Sequence, residues 1–283
     1  MQTFKIQNRF LRKYAANGLM LFSLFLVIGC SPQLNPGKGG GNRVNSSPHL
    51  KFETDALSDL IRYQGFVVRY DYLHRVPTFV IHRITPQQLS DSAGIKAKRS
   101  NRFWVDKTRL VSKSATSDDY RKSGFDRGHH APAGDFVYSQ ELKDESFVYS
   151  NISPQKAGLN RGPLAKIERQ IREKAEVCKC RAYVITGTHF ESNTSNSIGS
   201  NQVGVPDYVY KLVYYPKTSH MFAFLLDNRL GKYPGDLSQY QKTVDDIEAL
   251  TQEDFFDRLD DALEDKLEKK RLTFQSENKP HFN

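Results

Sequence analysis

The sequence predicts an α+β fold with a largely antiparallel sheet, and three observations favour it. Runs rich in β-branched and aromatic residues recur at the length of a strand. Two of these runs, Tyr208–Tyr215 and His220–Leu226, flank a short turn and predict a hairpin. Between the strand candidates, apolar residues recur at helical spacing. Strands that alternate with helices, some joined directly as hairpins, are typical of this class.

Composition narrows the class of protein. The 283 residues are 38% hydrophobic and 26% charged, which excludes collagen-like, coiled-coil and fully disordered chains. The net charge is +9, and four of the cations lie in the first 29 residues, where there is no acid. Without that segment 37 cations face 32 acids, a balance of +5. This excess favours a polyanionic partner such as nucleic acid or an anionic membrane surface.

The other predicted elements follow in chain order. The strands expected besides the hairpin are Gly65–Asp71, Thr78–Ile84, Phe147–Ile152 and Arg181–Thr186. Turns are expected at Pro77, at Ser153–Pro154 and at Gly187, whereas residues 99–123 are polar and predict loops. A helix is expected from Pro163, and residues 244–271 predict one long acidic helix.

The N-terminus predicts an export signal. A basic start precedes the twelve-residue apolar run Gly18–Gly29, which is followed by Cys30. As a helix this run spans roughly 18 Å, too short for a hydrocarbon core of about 30 Å but suited to a signal peptide. Val27–Cys30 resembles the lipobox of bacterial lipoproteins, in which the cysteine is lipidated and becomes the first mature residue. An ordinary signal peptide and an uncleaved anchor remain alternatives.

These features divide the chain into four parts. Residues 1–29 are interpreted as a lipoprotein signal peptide, and 30–49 as the lipidated cysteine with a flexible tether rich in Gly, Ser, Pro and Asn. Residues 50–260 are expected to form one domain large enough for an enzyme, and 261–283 a charged helix and tail. The expected location is the bacterial cell envelope, lipid-anchored and either periplasmic or surface-exposed. Cys178 and Cys180 are expected to be two structural thiols or a strained disulfide.

The segment from Ser123 to Pro132 carries the residues that point to chemistry. His129 suits proton transfer near neutral pH. Gly128 is expected to let the backbone bend sharply beside it. Arg127 offers a planar fork of donors that suits phosphate oxygens. The alternatives are that His129 only caps a turn, or that His130 is the base.

Further residues extend this motif into a family pattern. Asp126–His129, followed by Asn151, Asn160 and Glu168, resembles the DNA/RNA non-specific endonucleases, the endonuclease G-like ββα-metal nucleases. The resemblance runs from about residue 99 to residue 259. The other matching segments are Arg99–Asp106, Val184–Gly187 and Val244–Phe256.

The resemblance implies a fold, a metal and a set of roles. The fold is that of the ββα-metal nucleases, a central, mainly antiparallel sheet flanked by helices. The metal is one Mg²⁺, for which Mn²⁺ substitutes, and such a hard cation prefers oxygen ligands. The resemblance implies that His129 is the general base and Asn160 the metal ligand. Glu168 would contact the metal through water, and Arg99 and Arg127 would neutralise phosphate charge. Asp126 and Asn151 would support the site.

Several of these residues have alternative interpretations. Asn160 suits a helix N-cap. Glu168 is a candidate for a solvated helix face, because its neighbours are polar. Arg99 is either a functional cation or an ordinary loop cation. Arg102 is the alternative residue for the same position of the family pattern.

The resemblance implies Mg²⁺-dependent cleavage of DNA and RNA that leaves 5′-phosphate ends. A surface lipoprotein that binds nucleic acid with little or no catalysis is the alternative. A metallohydrolase acting on another substrate finds no support, because the chain has no His-Glu-x-x-His, no phosphate-cradling glycine loop and no serine elbow. A homodimer is left open.

Overall fold

The computed structural model describes residues 60–89, 97–100, 102–110, 112–192 and 196–274. The predicted signal peptide, Cys30 and the tether lie outside these residues. Among the described helices, none combines the length and the apolar character that crossing a bilayer requires.

A seven-stranded antiparallel sheet organises the described part of the chain. Its strands are ordered β1-β2-β3-β6-β9-β10-β11, and every neighbouring pair runs antiparallel. Their bounds are β1 Leu60–Arg62, β2 Phe66–Asp71, β3 Val76–Ile84, β6 Ala182–His189, β9 Tyr208–Tyr215, β10 His220–Asp227 and β11 Gln241–Lys242. Two two-stranded ribbons accompany it, β4 Phe125–His129 with β5 Ile152–Lys156 and β7 Ser197–Ile198 with β8 Val203–Gly204.

The predicted hairpin is confirmed, since β9 and β10 pair from Tyr215↔His220 onward. The turn predicted at Pro77 is wrong, because Pro77 lies inside β3 and pairs with Tyr70 where the β2–β3 register shifts. Proline lacks a backbone N–H and is tolerated at such an irregularity. The chain reverses before it, and Arg75 adopts a left-handed φ of 59°.

The turn predicted at Gly187 is also wrong. Strand β6 continues to His189, and Gly187 lies within it. A Cβ at position 187 would overlap the Tyr210 ring on the neighbouring strand. Glycine is therefore required there by close packing between strands.

The β4–β5 ribbon differs from the sequence prediction as well. Residues 149–151 form a 3₁₀ turn, and the strand begins at Ile152 and continues through Pro154. Pro154 is tolerated because it lies in a two-stranded ribbon, opposite Arg127.

Seven α-helices are described, and the longest packs on the sheet. Their bounds are α1 Pro86–Leu89, α2 Ser117–Tyr120, α3 Gln140–Glu145, α4 Ala157–Leu159, α5 Ala165–Cys178, α6 Val244–Thr251 and α7 Asp261–Glu268. A π-type turn, Asn160–Leu164, joins α4 to α5 and has a non-helical Gly162. Helical structure thus begins six residues before Pro163, the predicted start.

Helix α5 buries its apolar stripe in the largest core cluster. Ile167, Ile171 and Ala175 are each at most 1% exposed and pack with Val213 and Phe224 of the sheet. This packing fixes the helix against β9 and β10. The N-terminal end of α5 is thereby held next to the β4–β5 ribbon.

The long C-terminal helix predicted for residues 244–271 is in fact two helices. Gln252 ends α6 in a left-handed conformation, and α7 starts only at Asp261 with its own side-chain cap from Asp260. Phe274 is buried in the same core as Phe222 and Phe224. Segment 261–274 therefore packs on the domain, and the division at residue 260 stays a prediction.

Cys178 and Cys180 form a disulfide across the end of α5, with their Cα atoms 5.2 Å apart. Lys179 between them adopts a left-handed conformation. The bridge lies at the end of α5 remote from Asn160 and takes no part in the site described below.

Candidate active site

The β4–β5 ribbon presents the Asp-Arg-Gly-His motif in an extended conformation. His129 is the last residue of β4 and pairs with Ile152. A Cβ at Gly128 would overlap the side chain of Gln155, which lies on the neighbouring strand. The sharp bend predicted at Gly128 is wrong, and the glycine serves close strand packing. The turn-cap alternative for His129 does not fit this geometry.

Two aromatic rings hold the imidazole of His129. The ring of Phe147 lies 4.9 Å away and nearly perpendicular, and that of Phe103 lies 5.6 Å away. The Nε2 atom is buried and has no hydrogen-bond partner among the described residues. A buried polar atom without a partner requires an explanation, and a catalytic role is one of those known.

Two arginines flank the same rings. The guanidinium of Arg127 lies 4.3 Å from the centre of Phe103, and that of Arg99 lies 5.2 Å from the centre of Phe147. Burial, followed by the positive charge of Arg99 and a contribution from Arg127, lowers the pKa of His129 to about 3. His129 is therefore a neutral imidazole near neutral pH, the form able to accept a proton.

The side chain of Asn151 holds the backbone that follows the Asp-Arg-Gly-His motif. Its side chain is fully buried; Oδ1 accepts from the backbone N–H of Ala131 at 2.8 Å, and Nδ2 donates to Ala131 and Ser146 carbonyls. These bonds tie the chain after His129 to the start of β5. Asn151 lies where a bracing residue was predicted.

His130 has a different environment from its neighbour. It is fully buried; Nδ1 donates to the Thr186 carbonyl at 3.1 Å, and Nε2 accepts from Ser153 Oγ at 2.8 Å. Burial lowers its pKa to about 3. Because both ring nitrogens are engaged inside the fold, His130 offers no free atom to a substrate.

Asp126 holds the side chain of Asn160. Asn160 Nδ2 donates to Asp126 Oδ2 at 2.9 Å, and Arg161 donates to both carboxylate oxygens at 2.8 and 2.6 Å. Burial would raise the pKa of Asp126, but the donors Arg161 and Asn160 outweigh it and lower the pKa. Asn160 has helical φ and ψ, and its side chain caps no helix. The N-cap alternative therefore does not fit.

Glu168 points toward the sheet rather than into solvent. Its side chain is 19% exposed, and Oε1 lies 3.7 Å from Nζ of the buried Lys211. Lys211 also donates to Thr186 Oγ1 at 2.7 Å. Burial raises the pKa of Glu168 to about 7, with Lys211 opposing the rise. The solvated-face alternative is therefore wrong for Glu168.

Further buried charges lie behind this pair. Asp135 accepts from Arg172 at 2.6 Å and interacts with Nε2 of His82 at 2.8 Å. Burial, partly offset by Asp135, lowers the pKa of His82. The residues that sequence reasoning missed are thus Arg161, Lys211, Asp135, Arg172 and His82.

The sequence carried a signal for two of the missed residues. Lys211 is a cation in the middle of an aromatic strand, where a buried charge requires a partner. Arg161 directly follows the predicted ligand and has a charge opposite to that of Asp126. Nothing local in the sequence pairs Asp135 with residues 82 and 172, because those contacts are made only by the fold.

The structure brings the predicted residues into two groups. Arg99, Arg127 and His129 gather around the rings of Phe103 and Phe147, and Asp126 contacts Asn160 directly. Arg127 and His129 share the five-residue strand β4 with Asp126, so both groups are built on one strand. Glu168 follows on the next turns of the same helical segment and is joined to the interior by Lys211.

The donor set suits a hard divalent cation. The amide nitrogen of Asn160 is engaged by Asp126, and its carbonyl oxygen accepts no hydrogen bond among the described residues. Mg²⁺ prefers oxygen ligands, and this helical segment supplies the neutral amide oxygen of Asn160 and the carboxylate of Glu168. The residues present therefore fit such an ion.

Comparison with known proteins adds independent support. The family model for DNA/RNA non-specific endonucleases matches residues 45–262. Mitochondrial endonuclease G of Caenorhabditis elegans is 30% identical over 80% of this chain and 77% of that protein. Nuclease C1 of Cunninghamella echinulata var. echinulata is 30% identical over 76% of this chain and 90% of its own.

A solved structure shares the fold. The chain in the crystal structure of the EndoG/EndoGI complex superposes with a TM-score of 0.63 at 28% identity. The match covers 71% of this chain and 86% of that one. Together these findings show that the chain belongs to the DNA/RNA non-specific endonuclease family, and it is therefore a nuclease that hydrolyses phosphodiester bonds of nucleic acid in dependence on a divalent metal.

Proposed function

We propose that this enzyme is a Mg²⁺-dependent endonuclease of DNA and RNA in which Asn160 holds the metal and His129 is the general base. One observation carries the proposal: Asp126 fixes the amide nitrogen of Asn160, which leaves its carbonyl oxygen for the cation. Mn²⁺ substitutes for Mg²⁺, since both accept hard oxygen ligands.

His129 accepts the proton of the attacking water. Burial and the neighbouring positive charges lower its pKa, so the imidazole is neutral near neutral pH, the form that can accept a proton. The rings of Phe103 and Phe147 hold the imidazole in place and exclude water from one side.

Arg99 and Arg127 bind the phosphate oxygens. Each guanidinium is held over an aromatic ring that also contacts His129, which brings a phosphate and the base together. Contacts of this kind do not read bases and therefore confer little sequence preference.

Asn160 and Glu168 hold the ion from one helical segment, with Asn160 as the direct ligand and Glu168 acting through water. The chemistry that a bound Mg²⁺ supplies is charge stabilisation at the phosphate and at the departing 3′-oxygen. Because the 3′-oxygen leaves, the products carry 5′-phosphate and 3′-hydroxyl ends.

The alternative function is nucleic-acid binding with little or no catalysis. Incubation of the purified protein with supercoiled plasmid and with RNA, in Mg²⁺ or in EDTA, separates the two. We expect both to be cut only with the metal, and the new 5′ ends to accept a kinase label only after phosphatase treatment. Binding without cleavage would favour the alternative, and cleavage in EDTA would contradict the proposed metal site.

We also propose that the enzyme is anchored to the bacterial cell envelope through a lipid on Cys30. The support is sequence alone: a short apolar run, a lipobox-like Val27–Cys30 and a flexible tether.

A further inference from the structure

A groove lies beside the helical segment that carries Asn160. It is formed between the start of that segment, from Gly158 to Arg169, and the loop Gly231–Gly235. The cavity volume is about 500 Å³. Two of its lining residues, Gly158 and Arg161, lie on either side of Asn160 in the sequence.

The walls of this groove are built by specific packing. A Cβ on Gly158 would lie 3.0 Å from the ring of Tyr233, so the glycine lets the loop approach the helix closely. Lys166 Nζ donates to the carbonyl of Gly235 at 2.8 Å and ties the loop to the helix. The groove is therefore a formed cleft of the fold.

The lining is strongly positive. It includes four cations, Arg161, Lys166, Arg169 and Lys232, and no carboxylate. Lys166 and Arg169 are three residues apart and thus share one face of the helix. We call the surface formed by these four cations and the ring of Tyr233 the basic groove.

The acidic residues near the basic groove are already engaged. Asp126 accepts from Arg161, and Glu173 lies 3.9 Å from Arg169. The carboxylate of Asp236 accepts from the backbone and hydroxyl of Ser238, and these bonds hold its pKa below the ordinary value. Arg161 and Arg169 thus have carboxylate neighbours, and the excess of positive charge in the groove comes from Lys166 and Lys232.

We propose that the basic groove binds the sugar-phosphate backbone of the substrate strand beside the scissile phosphate. This inference rests on the proposed function and extends it to the path of the polynucleotide. Arg161, which lines the groove, and the proposed metal ligand Asn160 both donate to Asp126, which places the groove beside the proposed metal site. The groove offers cations, which bind phosphates whatever the base sequence, and this fits recognition without sequence preference.

An anionic membrane also attracts a cluster of cations. The concave shape of the basic groove and its continuity with Asn160 favour a nucleic-acid strand over a flat lipid surface. Measured binding to anionic vesicles distinguishes the two.

The test compares a polymer with a small diester. The double variant Lys166→Gln/Arg169→Gln removes two groove cations, and Lys179→Gln/Lys217→Gln removes two exposed cations at the opposite end of α5. For the full chain, kcat and KM are measured in Mg²⁺ on long single-stranded DNA and on bis(p-nitrophenyl) phosphate, which is too small to reach the groove.

We expect the groove variant to raise KM for the polymer about tenfold, and to lower the ratio of kcat/KM for the polymer to that for the small diester by a similar factor. The dependence of log KM on log salt should also become shallower, by about 0.7 for each phosphate of a single strand that the variant no longer neutralises. The control variant should leave that ratio and that slope as in the wild type.

Three results would overturn the inference. The first is a KM for the polymer that is unchanged in the groove variant. The second is a fall in kcat/KM that is equal for the polymer and the small diester. The third is a groove variant that binds anionic vesicles less well but cleaves the polymer as the wild type does. If the wild type hydrolyses neither substrate in Mg²⁺, the proposed function itself fails. Failure of the groove and failure of the function are therefore distinguishable.

Discussion

Asn160 donates a hydrogen bond of 2.9 Å from its amide nitrogen to the carboxylate of Asp126, and this contact decides which atom the side chain offers to a cation. An asparagine has one donor end and one acceptor end. With the donor end occupied, the carbonyl oxygen is left as the atom that the side chain can offer to the proposed metal. Arg161 keeps Asp126 charged by binding both of its oxygens.

The first prediction follows from this contact. Asp126→Ala frees the Asn160 amide to rotate, and the Mg²⁺ concentration for half-maximal cleavage should rise by about 10–100-fold, as is usual when the support of a metal ligand is removed. A Mg²⁺ titration of plasmid cleavage measures it. Asp118→Ala is the control, because Asp118 is an exposed carboxylate paired only with Arg121 among the described residues. If Asp126→Ala required the same Mg²⁺ concentration as the wild type, the positioning role of Asp126 would be refuted.

The second prediction separates the two adjacent histidines. His129→Ala should lower turnover by about 10²–10⁴-fold, the range for loss of a general base, while the melting temperature and nucleic-acid affinity stay near wild type. Single-turnover cleavage and a melting curve are the measurements.

His130→Ala should act on stability. It removes two buried hydrogen bonds, to Thr186 and Ser153, and leaves their partners unsatisfied, which costs about 1–3 kcal/mol each. The melting temperature should fall while the folded fraction still cleaves. If His130→Ala abolishes catalysis and His129→Ala is mild, the assignment of the base is wrong.

The third prediction concerns pH and Glu168. Its pKa is about 7 in the folded protein, against 4.5 ordinarily, so the folded state retains a proton that the unfolded chain releases. The stability that this proton contributes is complete below about pH 4.5 and is lost as the pH rises through 7. Glu168→Gln does not ionise. Between pH 4.5 and 7 the unfolding free energy of the wild type should therefore fall relative to that of Glu168→Gln, by about 3 kcal/mol at most.

Urea denaturation of both proteins at several pH values measures this difference. Glu173→Gln, which changes a half-buried carboxylate on the same helix, is the matched control and should differ from the wild type by a constant amount. A pH-independent difference for Glu168→Gln would show that the carboxyl is not buried as described.

The fourth prediction concerns the anchor. Cys30→Ser should leave the chain unlipidated and release the nuclease from membrane fractions, without changing its specific activity, since the tether separates the anchor from the domain. Fractionation and immunoblotting measure the distribution. Unchanged membrane retention would contradict the lipoprotein interpretation.

The sequence was most informative where spacing along the chain carries the chemistry. The motif from Asp126 to Glu168 was recognised through its resemblance to a family pattern, and the structure brings Asp126 into contact with Asn160. The roles assigned to these residues stay predictions. The strand-like runs predicted the β9–β10 hairpin, which the structure contains.

Predictions from glycine and proline were less successful. Gly128 and Gly187 were expected at bends, yet both lie in strands where a neighbouring side chain leaves no room for a Cβ. A glycine required by its own φ and one required by a partner strand look alike in sequence. The contact between Lys211 and Glu168 could not be predicted from the sequence either, because it joins strand β9 to helix α5, and the two residues are 43 positions apart.

The most direct test of the account is a Mg²⁺ titration of plasmid cleavage by the wild type, Asn160→Ala and Glu168→Gln. We expect Asn160→Ala to be inactive at every Mg²⁺ concentration, because the direct ligand is gone. Glu168→Gln keeps size and hydrogen-bonding capacity but loses charge; it should be weakened about 10–100-fold and partly recovered by additional Mg²⁺ or Mn²⁺. Wild-type behaviour of Asn160→Ala, or complete loss of activity in Glu168→Gln at all metal concentrations, would contradict the proposed metal site.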